Sequence, residues 1–475
     1  MSRAAKVTAV VSAAVFMSSL DLFIVNIAFP QLAAEFEGGP SRETLSWVLN
    51  AYAIVYAALL IPAGRLADLI GRKRVFVAGL AIFTGASAVC AAASSVEVLI
   101  AARGLQAIGA AALLPTSLAL LLPEFPPAKR SAAVGIWAAV GGAAAAAGPP
   151  LGGLLVEASW RWVFLVNVPI GIAVASVAVR VLRETREPAG RRVPDVAGAV
   201  LLMAAITTLA LAIVEGERWG WGSGRIVALF AAAVVLLAAF VARSARHPAP
   251  VVELALLRSR PVAAANVGAL LFFAGFGANI LGAVLFLTQV WDWSTLHAGA
   301  ALAVGPTMAA LSAAPSGRLA DRYGPRAIGL PGALLLTAGC VWWLVALGDS
   351  PGWATDLLPG QVLAGLGIGM ILPTLGSASV VTLPPERFAT GVGVYGMSRQ
   401  IGTAIGVALM VALLAGSTDG ALDAAAFAPV WGLVAGLSVA TALAFTALGR
   451  VHARGAQEAV MPLPASAPAV LEPAA

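Results

Sequence analysis

The sequence predicts an all-α polytopic membrane protein with fourteen transmembrane helices and both termini cytoplasmic. Three observations carry that prediction. First, the 475 residues are 60% hydrophobic and 11% charged, with a mean hydropathy of +0.92, more apolar surface than a water-soluble globule can hide. Second, the apolar runs are about twenty residues long, which spans a hydrocarbon core of about 30 Å at 1.5 Å per helical residue, and alternating strand patterns are absent. Third, the basic residues sort to one side. With the amino terminus in the cytoplasm, only Arg42, Arg161, Arg218 and Arg225 of the 29 Lys and Arg fall outside, and only Arg103 and Arg399 lie within spans. This distribution accounts for the net charge of +6 without a nucleic-acid partner.

In order along the chain, the first span is centred near Met17. Arg3 and Lys6 precede it as in a leader peptide, but its full length and its internal Asp21 and Asn26 predict a retained helix. The second and third spans, near Val55 and Phe83, flank the cytoplasmic phrase PAGRLADLIGRKR, which begins at Pro62. The fourth, near Ile108, carries Arg103 and Gln106. The fifth, near Ala144, is rich in Gly and Pro from Gly141 to Gly153, and the sixth, near Val174, follows the interfacial pair Trp160 and Trp162. The seventh and eighth, near Thr207 and Val235, lie between the two most polar cytoplasmic connections, Arg183 to Asp195 and Arg243 to Pro261. The ninth to fourteenth are centred near Ala278, Met308, Leu336, Gly367, Gly402 and Val439. Cys90 and Cys340 fall in the third and eleventh and read as small packing residues, not a disulfide.

The tenth and eleventh spans enclose a second phrase, PSGRLADRYGPRA, which matches the first at seven of eleven positions. Gly64 and Gly317 are 253 residues apart, and equivalent positions recur after eight spans, not six. Two spans have therefore been inserted, and the seventh and eighth are the candidates. The expected organisation is an N-terminal six-helix half over 1–183, linkers and inserted helices over 184–261, a C-terminal six-helix half over 262–449, and a disordered Pro- and Ala-rich tail over 450–475.

Several motifs resemble the major facilitator superfamily, and within it the fourteen-helix branch of drug:proton antiporters. Gly64-Arg65-Leu66-Ala67-Asp68, continuing through Gly71, Arg72, Lys73 and Arg74, looks like the superfamily's cytoplasmic loop signature. The stretch from Leu20 to Pro30 is similar to the branch's first-helix motif, and Arg103-Gly104-Leu105-Gln106 to its fourth-helix motif. Gly148-Pro149-Pro150-Leu151-Gly152-Gly153 resembles the fifth-helix motif of exporters, and Trp160 through Asn167 to Gly171 also looks like this branch. The resemblance covers nearly the whole chain. It implies two six-helix halves plus two inserted helices, alternating access, and no cofactor beyond a proton gradient. It also implies a bacterial cell-membrane location, and a monomer is expected.

The residues themselves say where the work is done. An isolated ion in hydrocarbon costs at least about 2.5 to 3.5 kcal/mol, and only Asp21, Arg103 and Arg399 lie well inside spans. Asp21 lies about 14 Å below the outer end of its helix and Arg103 about 9 Å, a gap that a long arginine covers. They are expected to pair, with Gln106 one turn along. A static ion pair is one reading. The other makes Asp21 a proton site, protonated when Arg103 is remote and ionised when it approaches. Arg399, followed by Gln400, is either a substrate contact or a structural donor. Asn26, Gln106, Arg399 and Gln400 are the candidate cavity residues. With one acid and two arginines, neutral or anionic amphipathic cargo is expected over dications.

In the loop phrases, Gly64, Gly71, Gly317 and Gly324 permit tight helix exits, and Asp68 and Asp321 sit among Arg65, Arg72 and Arg318. Such pairs can latch one state and release in the other; topological anchoring is the alternative. In the fifth span, Gly148, Pro149, Gly152 and Gly153 predict a kinked, closely packed helix. Two rival functions stay open: export of one endogenous metabolite, peptide or lipid, and a transport-dead receptor on the same fold. Lys6, Lys73 and Lys129 stand in no phosphate-cradling loop, and His247, His297 and His452 are too scattered for a metal site, so an enzyme or ATP-driven pump is not expected.

Overall fold

Inside hydrocarbon every backbone polar group must be satisfied within its own segment, and this chain meets that demand with helices. The computed structural model describes residues 2–36, 42–126, 130–185, 194–383, 388–415 and 422–449, and among them there is no strand. The first helices are α1 (Arg3–Glu35), α2 (Arg42–Ile70), α3 (Arg72–Ala91), α4 (Val96–Leu121) and α5 (Arg130–Ala158). Next come the short α6 (Trp162–Leu165) with α7 (Asn167–Val181), then α8 (Val196–Val214), the short α9 (Gly216–Trp219) and α10 (Gly224–Arg246). The remainder are α11 (Arg260–Gln289), α12 (Thr295–Leu302), α13 (Val304–Tyr323), α14 (Pro325–Ala346), α15 (Leu358–Ala378), α16 (Phe388–Ala415) and α17 (Ala424–Ala447).

Among the described residues 13 segments are long and apolar enough to cross a membrane, with α6–α7 and α12–α13 each forming one. The count expected from the sequence was one higher. α5, a further helix of 29 residues, stands where the fifth span was expected. The expected tail over 450–475 and most of the connection from Arg183 to Asp195 lie outside the described residues.

Helix starts follow from local chemistry. Side chains of Ser95, Asp195, Ser223, Ser294 and Asp423 each accept from a backbone N–H in the first turn that follows them. α3 has no such cap of its own. Instead Glu184 reaches across, its carboxylate accepting from the backbone N–H of Lys73 at 3.1 Å and Arg74 at 3.2 Å, while Thr185 O accepts from Arg72 N at 2.9 Å.

The internal repeat read from the two phrases reappears as packing. Gly71 and Gly324 take positive φ, 121° and 88°, and each turns the chain between consecutive helices. Gly79 of α3 meets Gly109 of α4 backbone to backbone, and Gly332 of α14 meets Gly367 of α15 in the same way. Gly64 faces Pro115, and Gly317 faces Pro373. Both halves are thus built on the same close helix pair, where a missing side chain lets backbones touch.

Between the halves, α2 runs along α16, α5 along α12, and α1 touches α11. α8 lies across the first of these seams, against both α2 and α16, and α10 packs on α8. Arg243 and Asp195 tie that helix pair together at 2.6 Å. The outer face of α10, including Val227, Val234 and Val235, is exposed, as a lipid-facing surface requires.

Candidate functional site

The site has two parts on opposite faces of α1. The first is a buried charge network. Asp21 is 0% exposed and Arg103, from α4, is 1% exposed. Arg103 Nη1 donates to Asp21 Oδ2 at 2.5 Å. The other carboxylate oxygen accepts from Gln106 Nε2 at 2.9 Å and from Asn167 Nδ2 at 3.0 Å. Gln106 is itself held on both sides, accepting from Arg103 Nη1 at 2.6 Å and donating to Ser87 Oγ at 2.8 Å. Arg103 Nε donates to the Val48 carbonyl at 3.1 Å.

Five helices therefore converge on one carboxylate: α1 supplies it, and α2, α3, α4 and α7 supply the groups that surround it. Each buried ion is paired and hydrogen-bonded, as its desolvation demands. The Tyr52 ring covers the guanidinium at 4.2 Å, an arrangement in which a desolvated cation gains about 2 kcal/mol. Tyr52 stacks in turn on Tyr56, with ring centroids 5.9 Å apart and planes 14° apart.

The second part is a cavity of about 500 Å3 between the halves, a size that suits one small organic molecule. Ser19, Leu22, Phe23 and Ile27 line it from α1, so Asp21 points away. Tyr56 lines it from α2, which places the Tyr52–Tyr56 stack between the charge network and the cavity. Arg399 is the only charged residue on its wall among the described residues. Its guanidinium lies 4.7 Å from the Phe273 ring centroid and 5.9 Å from that of Tyr395, and makes no ion pair among the described residues.

At the membrane end remote from the two phrases, the halves touch through glycine. Gly153 of α5 abuts the Leu296 backbone, and Gly299 of α12 abuts the Pro149 carbonyl. Nearby Phe286 contacts Trp291, Phe427 and Trp431 with centroids 5.4, 5.3 and 6.0 Å apart, and Trp343 contacts Trp431 at 5.7 Å. Phe286, Trp343 and Trp431 form the aromatic wall of the cavity at that end.

Of the residues singled out in the sequence, Asp21, Arg103 and Gln106 meet in one network, and Arg399 and Gln400 reach the cavity wall. Gln106 and Asn26 do not line that cavity. Gln106 is consumed by the network, and Asn26 donates to the Leu22 carbonyl at 2.8 Å. Gly148 packs on Phe23, Gly152 on Ile27, and Pro149 lines the cavity. In the first loop phrase Arg72 pairs with Asp68 at 2.9 Å and Arg65 with Glu253 at 3.4 Å. In the second, Arg318 and Asp321 are exposed and form no ion pair among the described residues, so the two phrases are unequal. Sequence reading missed Tyr52, Ser87 and Asn167 in the network and Asn279 and Gln361 on the wall. The 253-residue offset carries Asn26 to Asn279 and Phe23 to Phe276, and would have found the first of these cavity amides.

The chain matches the Major Facilitator Superfamily over residues 11–407 and again over 267–468. It is 33% identical over 396 residues to the tetracenomycin C resistance and export protein of Streptomyces glaucescens, covering 83% of this chain and 73% of the relative. It is 34% identical over 394 residues to the multidrug resistance protein Stp of Mycobacterium tuberculosis, covering 82% and 72%. The fold is similar to a crystal structure of the peptide transporter POT, with TM-score 0.65 and 17% identity over 94% of this chain and 95% of that one. The chain belongs to the Major Facilitator Superfamily; it is a multi-pass membrane transporter, not an enzyme.

Proposed function

We propose that the protein exports small amphipathic compounds across the cell membrane in exchange for protons. The antibiotic export and multidrug resistance named for its relatives support export. The observation that carries proton coupling is a wholly buried acid paired with a wholly buried arginine, held apart from the cargo cavity. Protonating Asp21 would cancel one charge of the pair and free Arg103 from its strongest contact, giving the five converging helices two arrangements. Asp21 is the proton site, with Arg103 its switch partner, in a chain of fourteen spans with both termini cytoplasmic. The first loop phrase and the α5–α12 glycine seam work as gates at the cytoplasmic and outer ends. Because the only charge on the cavity wall among the described residues is Arg399, cargo is neutral or anionic.

The test is proton release from proteoliposomes containing the purified chain, with 1,8-dihydroxyanthraquinone and ethidium as probes. The anthraquinone, not the cationic ethidium, is expected to release protons, and Asp21→Asn to abolish the response while the protein still inserts. Full proton-coupled efflux by Asp21→Asn would sink the assignment. A second reading, export of one dedicated compound, is favoured by the unpartnered polar groups on the cavity wall. A wide panel that gives only one transported compound would select it.

A further inference from the structure

Polar atoms buried without a partner are costly, and native proteins keep few of them. Four such atoms belong to side chains that line the same cavity here: Asn279 Oδ1, Gln361 Oε1, Gln400 Nε2 and Trp431 Nε1. They come from four different helices, α11, α15, α16 and α17, so no single local motif explains them. Gln361 is 4%, Gln400 6% and Trp431 3% exposed, which leaves them little access to bulk water. All four belong to the C-terminal half.

The N-terminal wall is different. Leu22, Phe23 and Ile27 are apolar, and the indole N–H of Trp137 is already given to Ser117 at 2.9 Å. The cavity is thus uneven: apart from the Ser19 and Tyr56 hydroxyls the N-terminal wall is mostly apolar, and the other wall carries two acceptors and two donors without partners. Around the donors and acceptors stand rings, Phe273, Phe276, Tyr395 and Trp343, which favour a flat aromatic partner. Arg399 adds a cation at the same wall, which suits a carbonyl or a phenolate and repels an ammonium.

We propose that Asn279, Gln361, Gln400 and Trp431 form a hydrogen-bonding subsite for flat aromatic cargo that carries hydroxyl donors and carbonyl acceptors along one edge. The proposal rests on the export reading and narrows it to a substrate class. The cargo's hydroxyls donate to the two amide oxygens, and its carbonyls accept from Gln400 and Trp431. Its apolar edge lies against α1. A methylated analogue loses the donors, strands the amide oxygens and is disfavoured, since a site built around a hydroxyl rejects the analogue that lacks it.

The test uses the full chain in lipid nanodiscs, with binding of 1,8-dihydroxyanthraquinone and 1,8-dimethoxyanthraquinone followed by microscale thermophoresis. The wild type should prefer the dihydroxy probe by about tenfold or more, because each neutral hydrogen bond is worth about three- to tenfold in affinity. Asn279→Leu/Gln361→Leu, which removes both amide oxygens, should reduce that preference to within about twofold, through weaker binding of the dihydroxy probe. A thermal melt read by a thiol dye on the buried Cys90 and Cys340 reports whether the variant is folded. Should that variant not fold, Gln361→Leu alone removes one amide acceptor and should cut the preference about threefold or more. No preference in the wild type, or a preference that survives substitution, overturns the subsite. A preserved preference pattern with no proton-driven transport of either probe overturns the export reading alone.

Discussion

Asp21→Asn is the smallest change that separates the charge of the network from its shape. If the Asn oxygen takes the place of Oδ2 facing Arg103, its amide nitrogen falls where Oδ1 now accepts from Gln106 at 2.9 Å and Asn167 at 3.0 Å. Two donors would then face a third. Asn167 can turn over, because its Oδ1 has no partner. Gln106 cannot, because it accepts from Arg103 at 2.6 Å and donates to Ser87 at 2.8 Å. One donor clash therefore remains, and the Arg103 charge is left buried without its counter-ion. Removing one member of a buried pair costs about 3 to 5 kcal/mol. Arg103→Gln strands the carboxylate in turn, with a cost in the same range. The double variant Asp21→Asn/Arg103→Gln holds no buried charge, so it should cost less than the two singles together by about 3 kcal/mol. The assay is a double-mutant cycle by denaturant unfolding in bicelles, read by thiol-dye labelling of Cys90 and Cys340, both buried. Additivity within about 0.5 kcal/mol would refute the claim that these residues act as one buried pair.

Two further outcomes follow from the α5–α12 seam and from the loops around α3 and α13. Gly299→Val should force α12 from the Pro149 carbonyl and open the seam with α5, which labelling of a cysteine introduced at Ser294 would report; unchanged labelling would count against the seam as a gate. Glu184→Gln should destabilise by about 1 kcal/mol, because it weakens the only side-chain cap on the start of α3 among the described residues, whereas Asp321→Asn, exposed and without an ion pair among the same residues, should stay within about 0.5 kcal/mol in the same unfolding assay.

What could be read from the sequence, and what could not, divides along the cost of burial. Asp21, Arg103 and Arg399 stand out because charges are rare and expensive in hydrocarbon, and helical rise alone puts the first two within reach. Asn279 and Gln361 carry no charge, so nothing in their helices marks them until the fold brings both to one cavity. Gln106 shows a different limit. Its spacing from Arg103 fixes the face of α4 they share, but not which side of α1 that face meets, and the cavity proves to be on the other side. The repeated phrases revealed the eight-span offset from a few charged and glycine positions. The unequal charge pairing of the two phrases depends on Glu253 and on the residues around Asp68, which no repeat dictates.

That separation across α1 constrains the proposed exchange of protons for cargo. Where acid and cargo share a cavity, each can expel the other by direct competition. Here Ser19, Leu22 and Phe23 face the cargo space, while Asp21 faces α2, α4 and α7. Cargo can then influence Asp21 only by moving something that touches both compartments. α1 itself is one such element, since a turn about its axis that adjusts Phe23 must also swing Asp21. The Tyr52–Tyr56 stack is the other, because Tyr56 meets the cavity and Tyr52 lies on the guanidinium of Arg103. Both routes act on the pairing of Arg103 with Asp21, not on access to the proton. In the proposed mechanism coupling is therefore a matter of geometry at the ion pair, and cargo chemistry can vary on the far side of α1 without rebuilding the proposed proton site.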